Sequence, residues 1–421
     1  MGRGNTDSSY VNHGAATINH VDEATASGAP PAGARHRLRL AVFTDHLFWR
    51  ENGRVFSDRA FPTFVAAMEP LFDRLVMIAR VHPEPSRSHY ELPPEVEVEA
   101  LPWVDNLSSP GKVLWMTLRS MRSFWRILDG VDVIWLVGSY ATSIPYALLA
   151  ALRGKRVAFG IRQDLRRYAR GRHPDRRLVH VAADVLEAVY RGLARFFPFA
   201  VVGPDLAERF RHAPRLLDVS VSMIRERDVV DVERALERRY DEDLVILNVG
   251  RVDMEKNPLL LADVLAALRE RDPRWRMIVC GDGPMLPDLA ARLEQLGVAD
   301  HVDLRGYVTL DDGLLDIYRS SHVFLHVSWT EGLPQIMFEA FAAGLPVAAT
   351  AVGGVPSGVG DAALLMPPGD RDAAVAALEQ IASQPDTREL LIRRGHARAQ
   401  SHTTESECLR LADFLAGSSP G

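Results

Sequence analysis

Residues 331–340 read EGLPQIMFEA, with two glutamates eight positions apart across a Gly-Leu-Pro turn. Glu339 stands in an otherwise apolar run, PQIMFEAFAAGLPVAAT, where a carboxylate needs hydrogen-bond donors. Hydroxyls of a bound nucleotide would supply them; the alternative is a structural pair or an interaction with a helix dipole. Glu331 lies in the loop ahead. If Pro334 is the first helical residue, the amides just beyond it are unpaired donors at a positive helix end, which suits phosphate oxygens. Arg251 and Lys256 follow the run LVILNVG. They suit an anionic ligand such as a diphosphate, or else are two solvated surface charges. Gly281-Asp282-Gly283-Pro284 and Gly353-Gly354 are turns where backbone could approach a ligand closely, although such turns are usually only turns.

Short apolar runs must carry these residues. LRLAVFT (38–44), RLVMIAR (74–80), VDVIWLV (131–137), RVAFGIR (156–162) and FAVVG (199–203) alternate with polar or helical stretches. After a charged stretch at 225–243 the pattern restarts with LVILNVG (244–250), RMIVCG (276–281), VDLRGY (302–307), VFLHVSW (323–329) and PVAAT (346–350). This alternation predicts α/β architecture with parallel sheets covered on both faces. Asn257-Pro258 reads as an N-cap and first helical position, and Gly297 as a helix stop. Ligands of such sheets bind at the carboxyl ends of strands, where all the candidates above fall.

The chain has 421 residues and a net charge of −6, which gives no case for nucleic-acid binding. Two cysteines, Cys280 and Cys408, are too few for a disulfide framework and fit a reducing, cytoplasmic compartment. Residues 1–35 have no apolar core stretch and read as a disordered tail rather than a secretory signal. Residues 131–152 are long enough to span a membrane but break at Gly138-Ser139 and Pro145, and so read as a strand followed by a helix. The acidic triplet Asp241-Glu242-Asp243 precedes its strand, at the wrong end for a site, and no metal site is expected.

In order, GR(V)…K, G-x-GP, S-x-x-EG-LP-x-x-x-x-EA, G-x-PV and GG-x-P resemble the C-terminal half of the group 1 (family 4) retaining glycosyltransferases of the GT-B fold, over residues 244–370. The resemblance implies two Rossmann-like domains facing each other across a cleft: an acceptor domain over 36–230, a donor domain over 240–402, and a closing helix within 403–421 that crosses back to the first. It implies that Arg251 and Lys256 contact the donor diphosphate, that Glu339 accepts from the ribose hydroxyls, and that Glu331 contacts the donor sugar beside the Gly332-Leu333 amides. Gly306-Tyr307-Val308 would lie near the base. The implied reaction is a metal-independent, anomer-retaining hexosyl transfer from a UDP- or GDP-sugar, a co-substrate rather than a cofactor. In it the leaving phosphate helps deprotonate the acceptor, and no protein nucleophile is named. The acceptor would be a carbohydrate, a lipid-linked sugar or a small natural product.

The N-terminal half departs from the family. The loop DHLFWRENGRVFSD offers only Asn52-Gly53 where the family is often glycine-rich, and Gln163-Asp164 stands where many members carry a histidine. Ser357 replaces an acidic residue after GG-x-P. His46 and Trp49 would line an acceptor pocket or pack locally. Residues 153–177 hold ten Arg/Lys against two Asp, either a solvated helix face or a patch for anionic lipid headgroups, at the inner face of the membrane, or for an anionic acceptor. The rival readings are a nucleotide-sugar epimerase and a non-catalytic sugar-nucleotide-binding subunit. A flavin or nicotinamide enzyme is disfavoured because the first-strand loop lacks GxGxxG.

Overall fold

The computed structural model describes residues 35–86, 90–103, 110–172, 176–310, 312–332 and 335–417, with the side chains of 110–117 and 171–172 also outside the description. The first sheet contains β1 (His36–Glu51), β2 (Arg54–Ser57), β3 (Phe72–Val81), β4 (Tyr90–Glu91), β5 (Glu97–Leu101), β6 (Val133–Val137), β7 (Arg156–Ile161), β8 (Phe199–Val201) and β9 (Leu216–Asp218). Seven of these strands run parallel in the order β5-β3-β1-β6-β7-β8-β9. The second contains β10 (Leu244–Val249), β11 (Trp275–Cys280), β12 (Val302–Gly306), β13 (Val323–His326), β14 (Val347–Thr350) and β15 (Ala363–Met366), all parallel, in the order β12-β11-β10-β13-β14-β15.

The apolar runs become central strands because helices cover both faces. Along β10, Leu244 and Ile246 enter one apolar cluster while Leu247 and Val249 enter the cluster on the opposite face. Leu40 and Val42 of β1 likewise alternate with Ala41 and Phe43. Strand alternation thus divides one continuous apolar run between two cores. In each sheet the strand order reverses beside its first strand, opening a crevice beyond the carboxyl ends of β1 and β6, and of β10 and β13.

The helix Thr404–Ala416 follows the second sheet in sequence, yet its Cys408, Leu411 and Leu415 pack with Leu40 and Val42 of the first. Thr403 caps it through Ser406 N at 3.2 Å. Its first turn is laced to the connection between the sheets. Thr404 N donates to Ile224 O at 2.7 Å, and the buried Glu407 carboxylate accepts from Ser220 N at 3.1 Å.

Three readings are corrected. β1 does not stop at residue 44; it continues to Glu51 and turns through Asn52 (φ +50°) and Gly53 (φ +80°) into antiparallel β2. An Asn-Gly pair with both φ positive is the favoured two-residue hairpin turn, so the expected loop is a hairpin. Asn257 does not cap by its side chain. At φ +53° it is the left-handed end of the one-turn helix Met254–Lys256, and Pro258 then opens the next helix. The strands β5, β9 and β15 were not read, β5 (EVEAL) because alternating charges hide it. The segment 131–152 is strand β6 and the helix Ser143–Leu152, and among the described residues no helix is long and apolar enough to cross a membrane. The expected tail lies outside the described residues except Arg35.

Candidate active site

Beyond the ends of β10, β11, β13 and β14, four loops are joined by backbone into one rim. Gly250 N donates to Cys280 O (2.9 Å), Val252 N to Asp282 O (3.0 Å), Trp329 N to Glu255 O (2.9 Å) and Gly354 N to Gly332 O (3.0 Å). Two glycines permit this close approach. A Cβ on Gly283 would lie 2.5 Å from Val252 O, and one on Gly353, itself at φ +52°, 1.9 Å from Glu331 O. Gly353→Ala is therefore expected to push the Glu331 loop outward. Strain and clash together should cost about 1–3 kcal/mol in a urea melt, with a larger loss of turnover in initial-rate assays.

Inside the rim Glu331 gathers three donors on one oxygen. Lys256 Nζ lies 2.6 Å, Ser328 Oγ 2.8 Å and His326 Nε2 2.9 Å from Oε1. His326 ends β13 and is buried, its Nδ1 3.4 Å from Thr350 Oγ1 at the end of β14. Burial pushes the Glu331 carboxyl upward, but the His326 hydrogen bond and the Lys256 charge outweigh it and hold it down at about 2. Among the described residues no hydrogen bond reaches Oε2. The ionised Glu331 thus uses one oxygen within the protein and leaves the other without a donor among the described residues.

Glu339 is arranged in the same way one helix further on. It lies in the helix Gln335–Ala342, is 8% exposed, and accepts from the buried Tyr318 hydroxyl at 2.9 Å through Oε2. Burial raises this carboxyl to about 7, a rise only partly opposed by the Tyr318 hydrogen bond. Oε1 takes no hydrogen bond among the described residues. Gln335 is four positions earlier, on the same helix face, and its Oε1 is buried without a partner among the described residues.

The other sequence candidates fall less centrally. Arg251 is exposed at the rim and pairs with Asp253 and Glu255 rather than joining Lys256. Gly332 contributes its carbonyl to the lacing; Leu333 and Pro334 lie outside the described residues. Tyr307 is exposed after the edge strand β12, its hydroxyl 3.2 Å from that of Tyr90 on the first sheet. Ser357 donates to Gly354 O within its own turn. Asp241 and Asp243 pair with Arg239 and Arg276 at the amino ends of β10 and β11, away from the rim.

On the first sheet, Asp164 is held by partners within the protein. Its carboxylate accepts from Arg209 (2.9 Å) and from Arg167 N (3.0 Å) and anchors the helix Leu165–Arg172. Gln163 is exposed. Arg162, which ends the expected strand, was not singled out. Its guanidinium stacks 3.8 Å from the Phe61 ring centroid, approaches His46 Nε2 at 3.3 Å, and meets no carboxylate among the described residues. Desolvation by the surrounding protein draws it down to about 10, and draws His46 to about 4, so His46 is neutral near pH 7. Trp49 stacks on His82 at 6.3 Å, a local packing role.

Sequence reasoning missed His326, Tyr318 and Gln335. A histidine closing an apolar strand beside the crevice was an available signal for the first. The other two depend on which side chains the fold brings to Glu339.

The family described as glycosyl transferases group 1 matches residues 230–398. The phosphatidylinositol N-acetylglucosaminyltransferase gpi3 subunit of Schizosaccharomyces pombe is 34% identical over 113 residues, 27% of this chain and 25% of that protein. The D-inositol 3-phosphate glycosyltransferase of Actinosynnema mirum is 39% identical over 180 residues, 39% of this chain and 42% of that protein. The chain therefore aligns with a quarter to about two fifths of the length of these curated relatives. The Anabaena protein Alr3699/HepE, crystallised with UDP and glucose, superposes with a TM-score of 0.61 at 15% identity, covering 90% of this chain and 100% of that one. Residues 230–398 are thus similar to the group 1 glycosyl transferases, and the two parallel-sheet domains have the GT-B fold.

Proposed function

We propose that the protein transfers a hexose from a UDP- or GDP-sugar to an acceptor hydroxyl with retention at the anomeric carbon. One observation carries this reading. Glu331, on the rim at the strand-order reversal of the second sheet, and Glu339, in the helix that follows it, each bind the protein through one oxygen and, among the described residues, leave the other open. Hydroxyl-rich ligands donate to such oxygens, Glu339 taking the ribose and Glu331 the transferred sugar. Lys256, beside Glu331, and Arg251, at the rim, would balance the diphosphate between them, with the Gly283 turn and the start of the Gln335–Ala342 helix close by. In the reaction the bond from the anomeric carbon to the phosphate oxygen breaks and the bond to the acceptor oxygen forms. The acceptor proton passes to the departing phosphate.

The acceptor would enter from the first sheet, where Arg162, beside neutral His46, meets no carboxylate among the described residues. An acceptor carrying phosphate suits that cation, and two relatives are named for inositol acceptors of this kind. The test is release of nucleoside diphosphate from UDP-, GDP-, ADP- and dTDP-sugars offered with phosphorylated and neutral acceptors. Release from one nucleotide class, lost in Glu331→Gln, is expected. A folded protein that binds a donor yet releases no diphosphate with any acceptor would instead be a binding subunit.

A further inference from the structure

The helix Arg177–Leu193 is amphipathic in the wrong sense for a helix whose outer face meets only water. Its inner face buries Glu187, paired with Arg209 at 3.1 Å, and Tyr190. Its outer face carries Leu178, Val181, Val185 and Val189, which are 86%, 58%, 59% and 39% exposed. Ala182 and Ala188 complete that face, and no carboxylate interrupts it. The stripe is about 17 Å long at 1.5 Å per residue. It is not isolated. Phe196 beyond the helix end and Leu152 of the helix Ser143–Leu152 are 77% and 80% exposed on the same helical layer. Among the described residues, ten of the fifteen large exposed apolar side chains fall between residues 118 and 196.

Arginines surround the stripe. Arg176 and Arg177 stand at its start and Arg191 and Arg195 at its end, all exposed and without an ion pair among the described residues. Alongside, Arg166 and Arg170 bond Asp184 of the same helix, and with Arg167, Arg209 and Asp164 they line an open basin of about 600 Å³. Within the basic segment 153–177, by contrast, Arg153 pairs with Asp129 and Lys155 donates to Val131 O, so part of that charge is structural.

We propose that this face docks on a membrane containing anionic lipids, the valine–leucine stripe entering the headgroup–acyl boundary and the flanking arginines meeting phosphates. A strip of apolar side chains with unpaired arginines at both ends matches a surface that is apolar below and anionic above. It matches a second copy poorly. Two such helices paired about a two-fold axis would set Arg177 against Arg191 or Arg195. The helix follows β7, whose carboxyl end opens on the crevice holding Arg162, so docking brings that crevice close to the lipid surface. The inference does not depend on the donor site.

The test is sedimentation of the full chain with vesicles of phosphatidylglycerol and phosphatidylcholine in equal parts, or of phosphatidylcholine alone. Binding to the anionic vesicles is expected, weakened by salt, and reduced about tenfold or more in Val181→Asp/Val185→Asp and in Arg177→Glu/Arg191→Glu. Thermal melting of each variant at the wild-type temperature shows that it is folded. Wild-type protein that stays in solution with anionic vesicles, or a folded variant that binds them equally well, overturns the proposal. So does a wild-type dimer that the valine substitutions convert to monomer, because the face would then join two copies.

Discussion

Lys256→Ala is expected to lower stability by roughly 1–3 kcal/mol and turnover by about a hundredfold or more. The stability loss arises at Glu331, whose side chain is 9% exposed and whose Oε1 lies 2.6 Å from Lys256 Nζ. Removing the ammonium leaves that carboxylate with only His326 and Ser328, and an uncompensated buried charge is costly. The loss stays below the full figure for a buried pair because Lys256 is itself 23% exposed. The turnover loss has a separate origin, since a cation beside the departing diphosphate is worth most in the transition state.

The double variant Lys256→Ala/Glu331→Gln distinguishes the two effects. It should recover much of the stability, because neither charge is left buried alone, and none of the turnover. The pH dependence follows from the same pair. The Glu331 carboxyl sits at about 2 against an ordinary 4.5, so its contribution of about 3 kcal/mol is complete above pH 4.5 and lost as pH falls towards 2. Urea melts of wild type should show that loss, and Glu331→Gln should not. Turnover unchanged in folded Lys256→Ala would remove Lys256 from the mechanism.

Glu339→Gln should make the ligand-free protein more stable at pH 8, by about 1–2 kcal/mol. In the folded state the Glu339 carboxyl titrates near 7, above the 4.5 of an unfolded chain. Between those values the folded protein holds a proton that the unfolded chain has released, so stability falls as pH rises through this window. The total is about 3 kcal/mol. Glutamine removes that cost and still accepts from the Tyr318 hydroxyl, but its amide hydrogens need partners, which reduces the gain. Melting temperatures of the two proteins should converge towards pH 4.5 and separate by pH 8. A variant less stable than wild type at pH 8 would mean that Glu339 is a structural acceptor with donors beyond Tyr318. A buried carboxylate that weakens the empty protein makes sense if a ligand's hydroxyls are its intended partners.

Much of this was legible in the chain because burial on both faces leaves an unbroken apolar run. VDVIWLV, LVILNVG and PVAAT announced β6, β10 and β14 within a residue or two. Glu331 and Lys256 were legible as residues just beyond strand ends, but their 2.6 Å pairing was not. It depends on Asn257 reversing the chain at φ +53° and on Trp329 N bonding Glu255 O, neither of which leaves a side-chain pattern. Tyr318 lies 21 positions before Glu339, and only the packing of its helix brings the hydroxyl there. Arg162 was passed over as one more charge in a basic segment, although Arg153, Arg166 and Arg170 of that segment pair with carboxylates and Arg162, among the described residues, does not.

The most direct measurement is calorimetric titration of UDP-, GDP-, ADP- and dTDP-glucose into wild type and Glu339→Gln at pH 8. One nucleotide class should bind wild type, and the variant should bind it about ten- to a hundredfold more weakly, the worth of one hydrogen bond to a charged acceptor. Equal affinity in the two proteins, or no binding of any of the four by folded wild type, would contradict the claim that this rim holds a nucleotide sugar.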